Sequence, residues 1–221
     1  MAKLFLLRHL KSQWNEDNRF AGWVDNPLAK ESASEAKIIA QKLAGEKIDV
    51  VYTSPLIRNE ETVLRIFDNM PERYPLFFHL DGGKMQKWGN FVDISQNDVP
   101  VYVSENLNER YYGKLQGLDK DEVIKKYGQK EIHMERRGFL ERPPKGESLK
   151  DVYKRAVPFF KRYVPKDLEK GKNVLIVASH NSLRAIIKYV ESIPDKDIDK
   201  LEITFGSLIS YEFKNNSFVK N

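Results

Sequence analysis

The chain has 221 residues, of which 41% are hydrophobic and 31% charged, and 37 Lys and Arg against 32 Asp and Glu give a formal net charge of +5. This composition is that of an ordinary globular protein, and no apolar run is long enough to cross a bilayer. The absence of cysteine excludes disulfides and thiolate metal sites. We therefore expect a cytoplasmic protein without a secretory signal peptide.

The hydrophobic pattern predicts strands and helices that alternate along the chain. In chain order these are a strand at 3–7, a helix around 36–43, a strand at 48–52, a helix at 56–70, a helix that begins at Ser148, a strand at 174–178, a helix at 182–191 and a last strand at 208–213. Alternation of this kind predicts an α/β fold with a mostly parallel sheet. We expect one domain over residues 1–221, with 70–105 as a long excursion from the pattern.

The basic residues alternate with acidic ones and form no Lys/Arg block or tail. An excess of basic over acidic residues is compatible with a nucleic-acid-binding surface or with a pocket for a small anionic substrate. The scattered distribution favours the pocket, so we predict no nucleic-acid partner and no membrane partner. The four histidines lack the close spacing of zinc ligands, and we predict no metal site.

Polar side chains follow three of the predicted strands directly. Arg8-His9 follows the first strand, Thr53-Ser54 the second, and His180-Asn181 the strand at 174–178. Ligands of open α/β sheets bind at the carboxyl ends of the strands, so these residues are expected at one rim. A neutral imidazole can accept a phosphoryl group, and neighbouring arginines keep it neutral. We therefore predict that His9 is a phosphate acceptor. The arginines suited to bind phosphate are Arg8, Arg58, Arg110, Arg136 and Arg137.

Several segments resemble the cofactor-dependent phosphoglycerate mutases of the histidine phosphatase superfamily. They occur in the same order over nearly the whole chain, apart from 70–105 and the end. The segments are RHLKSQWN at 8–15, RFAGW at 19–23, LNERYYGKLQGLDK at 107–120, RRGF at 136–139, PPKGESL at 143–149 and NSLRA at 181–185.

The resemblance implies a fold, a reaction and a set of residue roles. The fold would be a three-layer α/β/α sandwich of the phosphoglycerate mutase type. The reaction would interconvert 3-phosphoglycerate and 2-phosphoglycerate, as in glycolysis and gluconeogenesis, primed by 2,3-bisphosphoglycerate as cofactor and without metal. A homodimer or a homotetramer is compatible with it. The implied catalytic residues are His9 as nucleophile, Glu109 as general acid and base, and Arg8, Arg58 and His180 around the transferring phosphoryl group. The implied substrate-binding residues are Ser12, Asn15, Ala21, Gly22, Arg110, Tyr112, Lys120, Arg136, Arg137 and Asn181.

The sequence departs from the family at four places. Leu10 replaces the glycine that follows the nucleophilic histidine, and Ala21 replaces a hydroxyl residue. Ser179-His180-Asn181 stands where the family has His-Gly-Asn, so an ungapped match puts Ser179 at the histidine position. The family often has a longer C-terminal tail over the site, and a shorter tail is expected to favour hydrolysis. These departures leave two alternatives open: a histidine phosphatase and a non-catalytic binder of phosphorylated ligands. A basic nucleic-acid binder is a further alternative that no motif supports.

Overall fold

The computed structural model describes residues 1–221, except for the side chains at positions 130, 131 and 135. The strands are β1 Ala2–Arg8, β2 Val50–Thr53, β3 Tyr74–His79, β4 Asp98–Val103, β5 Val174–Ala178, β6 Leu208–Lys214 and β7 Ser217–Lys220. The helices are α1 Gln13–Glu16, α2 Ser32–Leu43, α3 Ile57–Phe67, α4 Lys84–Gly89, α5 Lys120–Tyr127, α6 Gln129–Arg137, α7 Leu149–Glu169 and α8 His180–Val190. No helix among the described residues is long and apolar enough to cross a membrane.

The seven strands form one sheet in the order β3-β4-β2-β5-β1-β6-β7. The pairs from β3 to β1 are parallel, whereas β6 and β7 are antiparallel additions at one edge. The sheet is thus mostly parallel, as predicted. Parallel strands place their carboxyl ends along the same edge, and the antiparallel β6 begins at that edge beside the end of β1.

Alternating apolar residues pack helices against both faces of the sheet. Leu4 and Leu6 of β1 belong to a core cluster with α7 and α8. Phe5 and Leu7 face the other way, into a cluster with α2 and α3. Successive side chains of a strand point to opposite faces, so a central strand needs apolar residues on both sides. The result is the predicted three-layer α/β/α sandwich.

The longest helix, α7, begins as its sequence predicts. The Ser148 side chain accepts a hydrogen bond from the Asp151 backbone N–H, and Asp151 accepts one in return from the Ser148 backbone N–H. This reciprocal cap satisfies donors that the first turn leaves unpaired. Pro158 and Pro165 lie inside the helix, which continues through both.

The sequence predicts the segment 70–105 to be a long excursion from the alternating pattern, but in the structure it is part of the sheet. It contains β3 and β4, which pair in parallel and extend the sheet beyond β2, with α4 between them. Pro75 and Pro100 obscured the strand pattern, because proline cannot donate a ladder hydrogen bond and is uncommon inside strands. Pro75 is tolerated because β3 is the edge strand of the sheet.

Candidate active site

A polar cavity of about 250 Å³ opens at the carboxyl ends of the parallel strands. Arg8 and His9 enter it from the end of β1, and Arg58 enters from the first turn of α3 after β2. Glu109 comes from the loop after β4, and His180 begins α8 after β5. The cavity is lined by Arg8, His9, Asn15, Asn18, Arg19, Phe20, Ala21, Gly22, Arg58, Glu109, Tyr112, Lys120, Arg136, Arg137, His180, Glu202 and Phe205.

His9 is buried with one ring nitrogen already engaged. Its Nδ1 lies 2.6 Å from the Leu10 carbonyl oxygen. A carbonyl only accepts hydrogen bonds, so Nδ1 carries the proton and Nε2 keeps its lone pair. Burial lowers the pKa of His9 well below its usual value, and the charges of Arg58 and Arg8 lower it further. The ring is therefore neutral at pH 7, in the form that can attack phosphorus.

Leu10, the residue in place of the family's glycine, turns away from the phosphate site. Its side chain is fully buried in the core cluster of α2 and α3. Its backbone N–H donates to Thr62 Oγ1 at 3.1 Å. Leu10 is not among the residues with positive φ, so a side chain at this position is accommodated without backbone strain.

His180, rather than Ser179, reaches the cavity. Ser179 is the N-cap of α8, and its hydroxyl accepts a hydrogen bond from the Asn59 side chain at 3.2 Å. His180 is the first helical residue, and its Nε2 lies 3.1 Å from Arg137 Nη1. Burial lowers the pKa of His180 to about 3, although Glu202 acts in the opposite direction. The altered motif therefore still supplies a neutral histidine beside His9.

Arg8 and Arg58, whose charges act on His9, are both held by backbone carbonyls. Arg58 donates to the carbonyls of Gly22 at 2.7 Å and Val24 at 3.0 Å. Arg8 donates from Nη1 to the Ile203 carbonyl at 2.5 Å, while its buried Nε has no hydrogen-bond partner among the described residues. Burial lowers the pKa of Arg8 to about 10, which leaves it protonated at neutral pH. These fixed cations favour an anion next to the imidazole.

Glu109 is a buried carboxylate with several donors directed at it. Its Oε1 accepts from the Arg110 N–H at 2.7 Å and from Asn181 Nδ2 at 2.7 Å. Burial alone would raise the pKa of Glu109, but the hydrogen bonds from the Arg110 N–H and Asn181 and the charge of Arg58 lower it overall. Glu109 is therefore ionised at neutral pH and able to accept a proton.

Most of the predicted substrate-binding residues line the cavity, and three lie behind its wall. Asn15, Ala21, Gly22, Tyr112, Lys120, Arg136 and Arg137 line it. Ser12 is fully buried and donates to Asn15 Oδ1 at 2.8 Å, and Asn181 donates to Glu109. Arg110 is also buried, and its Nη2 donates to the Arg136 carbonyl at 2.5 Å. These three therefore act on residues that line the cavity.

Five lining residues were not predicted. Asn18, Arg19 and Phe20 lie within a few residues of the predicted Asn15, Ala21 and Gly22, whereas Glu202 and Phe205 lie far along the chain from any predicted site residue. The Phe205 ring lies 3.7 Å from the Arg8 guanidinium carbon and 5.8 Å from the His9 ring centre. Glu202 and Phe205 belong to the segment before β6, which has no periodic pattern in the sequence. The signal is topological: an antiparallel strand beside β1 must begin near the end of β1, so its preceding loop borders Arg8 and His9.

The sequence matches a known family over most of its length. A family model described as histidine phosphatase superfamily (branch 1) matches residues 4–77 and 92–221. The 2,3-bisphosphoglycerate-dependent phosphoglycerate mutase of Methanococcus vannielii is 44% identical over 212 residues, covering 96% of this chain and 90% of the relative. This chain belongs to the cofactor-dependent phosphoglycerate mutase family of the histidine phosphatase superfamily. The predicted family and fold class are thereby confirmed.

A further relative carries the same family name, and solved structures share the fold. The 2,3-bisphosphoglycerate-dependent phosphoglycerate mutase of Methanosarcina acetivorans is 39% identical and covers 100% of this chain and 95% of its own length. A mycobacterial glucosyl-3-phosphoglycerate phosphatase superposes with a TM-score of 0.77 at 20% identity, covering 100% of this chain and 98% of that one. Bacillus stearothermophilus YhfR gives a TM-score of 0.74 at 24% identity, covering 100% and 95%. At these identities the structural matches show the shared fold.

Proposed function

We propose that this protein interconverts 3-phosphoglycerate and 2-phosphoglycerate through a phosphohistidine at His9. The observation that carries the proposal is the pairing of a neutral, buried His9 with an ionised, buried Glu109 in one cavity lined by arginines. Reversible phosphoryl transfer requires a neutral imidazole as nucleophile and an ionised carboxylate as proton acceptor. The mutase names of the full-length relatives support the same reaction.

The cavity suits a small polyanion. Arg8 lines the cavity, and its Nε is a buried donor without a hydrogen-bond partner in the described part of the chain. Lys120 adds a further cation, although burial and the neighbouring Arg136 lower its pKa to about 8. A buried donor that lacks a partner is costly unless a ligand accepts from it. The carboxylate and the two phosphoryl groups of 2,3-bisphosphoglycerate would supply acceptors for this donor and for the other cations that line the cavity. When bound, this cofactor supplies the phosphoryl group that primes His9.

His9 and Glu109 would divide the chemistry of each turnover. His9 Nε2 holds the phosphoryl group, and Glu109 removes the proton from the 2-hydroxyl of 3-phosphoglycerate as that oxygen bonds to phosphorus. The N–P bond breaks and its electron pair returns to His9. In the second half, His9 takes the phosphoryl group from the 3-position, and Glu109 returns its proton to the oxygen released. Arg8, Arg58 and His180 would stabilise the phosphoryl oxygens by charge and hydrogen bonding.

The test is to incubate the protein with 2,3-bisphosphoglycerate, assay acid-labile phosphate on His9, and follow 2- and 3-phosphoglycerate. We expect phosphohistidine and isomer exchange, both abolished in His9→Ala. Glu109→Gln should slow transfer by about 10²–10⁴-fold, because an amide cannot accept the proton. Phosphate release without isomer exchange would indicate a phosphatase, and no phosphohistidine would leave only a phospho-ligand binder. Activity that survives EDTA would support the proposed metal-free reaction.

A further inference from the structure

Glu202 brings a carboxylate into a cavity whose other charges are mostly positive. Among the side chains that the structure describes, six cationic ones line the cavity, but only two acidic ones, Glu109 and Glu202. Glu109 is accounted for by its proton-transfer role and is held by the Arg110 amide and Asn181. Glu202 has no part in the proposed reaction, and its contacts are with the cations and the histidine of the phosphate site.

The backbone fixes the direction in which Glu202 points. Its neighbours Leu201 and Ile203 both pack against the core cluster of α7 and α8, and Ile203 is almost completely buried. Side chains alternate along an extended segment, so Glu202 is directed away from that core. The segment is fastened to β1 as well, because the Ile203 carbonyl accepts from Arg8 and the Gly206 N–H donates to the Arg8 carbonyl at 3.2 Å.

Three groups of the candidate phosphate site contact the Glu202 carboxylate. Oε2 forms an ion pair with Arg137 Nη1. Oε1 lies 3.5 Å from His180 Nε2 and 3.9 Å from Arg8 Nη1. Arg8 and Arg137 lie within ion-pairing distance, and each is also able to bind a phosphoryl oxygen. A phosphoryl group bound by these residues would therefore compete with the carboxylate for the same donors.

We propose that Glu202 is an internal competitor for the anionic ligand and thereby sets the affinity of this cavity for phosphoryl groups. This inference rests on the proposed function, since it concerns the same phosphate site. The Glu202 side chain is half exposed, so it can swing out of the way without leaving a buried charge unpaired. A phosphoryl dianion has more charge and more acceptor oxygens than a carboxylate and displaces it. The displacement reduces the net affinity and keeps the bound ligand exchangeable.

The test is isothermal titration calorimetry with inorganic phosphate at pH 8. We expect Glu202→Gln to bind phosphate about five- to tenfold more tightly than the original protein, because the competing charge is gone while the side chain keeps its size. Asp197→Asn is the matched control: it removes the same charge from the same segment, but Asp197 pairs with Lys200 and does not line the cavity. Phosphate affinity should be unchanged in this control.

Two other outcomes would overturn the inference. Weaker phosphate binding in Glu202→Gln would mean that the carboxylate positions Arg137 and His180 for the ligand. Equal binding would mean that it does not compete at all. Glu202→Ala and the melting temperature of each variant guard against a local folding defect. Because phosphate binding needs no turnover, tighter binding in a protein that never isomerises phosphoglycerate would refute the proposed function and leave this inference intact.

Discussion

At the scale of single residues, the surroundings of two titratable groups decide what the cavity can do. His9 and Glu109 are both buried, yet the His9 ring is neutral and the Glu109 carboxylate is charged. Burial keeps His9 neutral, and the charges of Arg58 and Arg8 also oppose a positive charge on its ring. Glu109 stays ionised because backbone and amide N–H groups donate to it despite its burial. The same low-dielectric environment therefore yields a nucleophile at one residue and a base at the other.

The charge state of His9 can be measured directly. In ¹⁵N-labelled protein, the ring nitrogens of His9 should keep the chemical shifts of a neutral imidazole from pH 8 down to pH 6. An unperturbed imidazole with a pKa of about 6.5 would be about three-quarters protonated at pH 6. The unfolded chain in urea provides the reference. A His9 ring that titrates in the folded protein as it does in urea would contradict the argument from burial and arginine charge.

At the scale of secondary-structure elements, Arg155 of α7 holds the loop that carries Glu109. Its Nη1 donates to the carbonyls of Asn106 at 2.9 Å and Asn108 at 2.8 Å, and its Nη2 donates to the Glu109 carbonyl at 2.9 Å. Its remaining donors bind the Glu147 carboxylate at 2.9–3.0 Å. Trp23, beside the cavity residue Gly22, donates to the same Glu109 carbonyl at 2.5 Å. The position of the proposed base is thus fixed by a helix on one side and by a cavity loop on the other.

Arg155→Lys should lower kcat about tenfold or more with a much smaller change in KM, since a misplaced catalytic group reduces rate more than binding. A lysine has three donors at a single point and cannot bridge three carbonyls and a carboxylate. Arg162→Lys makes the same exchange two turns further along α7 at an exposed position, and should leave both constants unchanged. Steady-state kinetics of the three proteins provide the measurement. An equal loss in both variants would show a general effect on α7 rather than a role for Arg155 in positioning Glu109.

At the scale of the whole molecule, strand order determines which segments build the cavity. The parallel strands β1, β2, β4 and β5 bring their following loops to one edge, and the loop before β6 joins them there. The helix α4, by contrast, does not contribute to the cavity. It lies in the chain between β3 and β4, the two strands at the sheet edge opposite β7. This helix has no buried residue, and Trp88 is 75% exposed. The range 78–91 is also the internal stretch that the family model does not match.

Trp88→Ser should leave kcat and KM within about twofold of the original values, as is usual for a substitution on the surface away from a site. None of the described residues that line the cavity lies between Arg58 and Glu109, so α4 does not contact the proposed reaction site. The phosphoglycerate assay gives the measurement, and circular dichroism confirms the fold of the variant. A loss of activity beyond tenfold in a folded variant would mean that α4 contributes to the site.

The sequence by itself determined the α/β class, the central strands, the capped start of α7 and the order of the motifs. These follow from local causes: continuous apolar runs mark buried parallel strands, and a serine with a carboxylate three residues later marks a helix start. His9, Glu109 and most of the arginines could be named because their segments resemble one family in order and spacing. The strands β3 and β4 were missed because each contains a proline, which disturbs the local strand pattern. Each is specified instead by pairing with its partner strand.

Only the tertiary structure decided how the altered motifs fit. Leu10 replaces a glycine without strain because its side chain enters the core between the sheet and the helices α2 and α3. His180 faces the cavity because Ser179 becomes the N-cap of α8, which turns the next residue toward Arg137. Glu202 and Phe205 line the same cavity as His9 because β6 lies antiparallel to β1. Each outcome depends on contacts between segments far apart in the chain, which the pattern within a single segment does not contain.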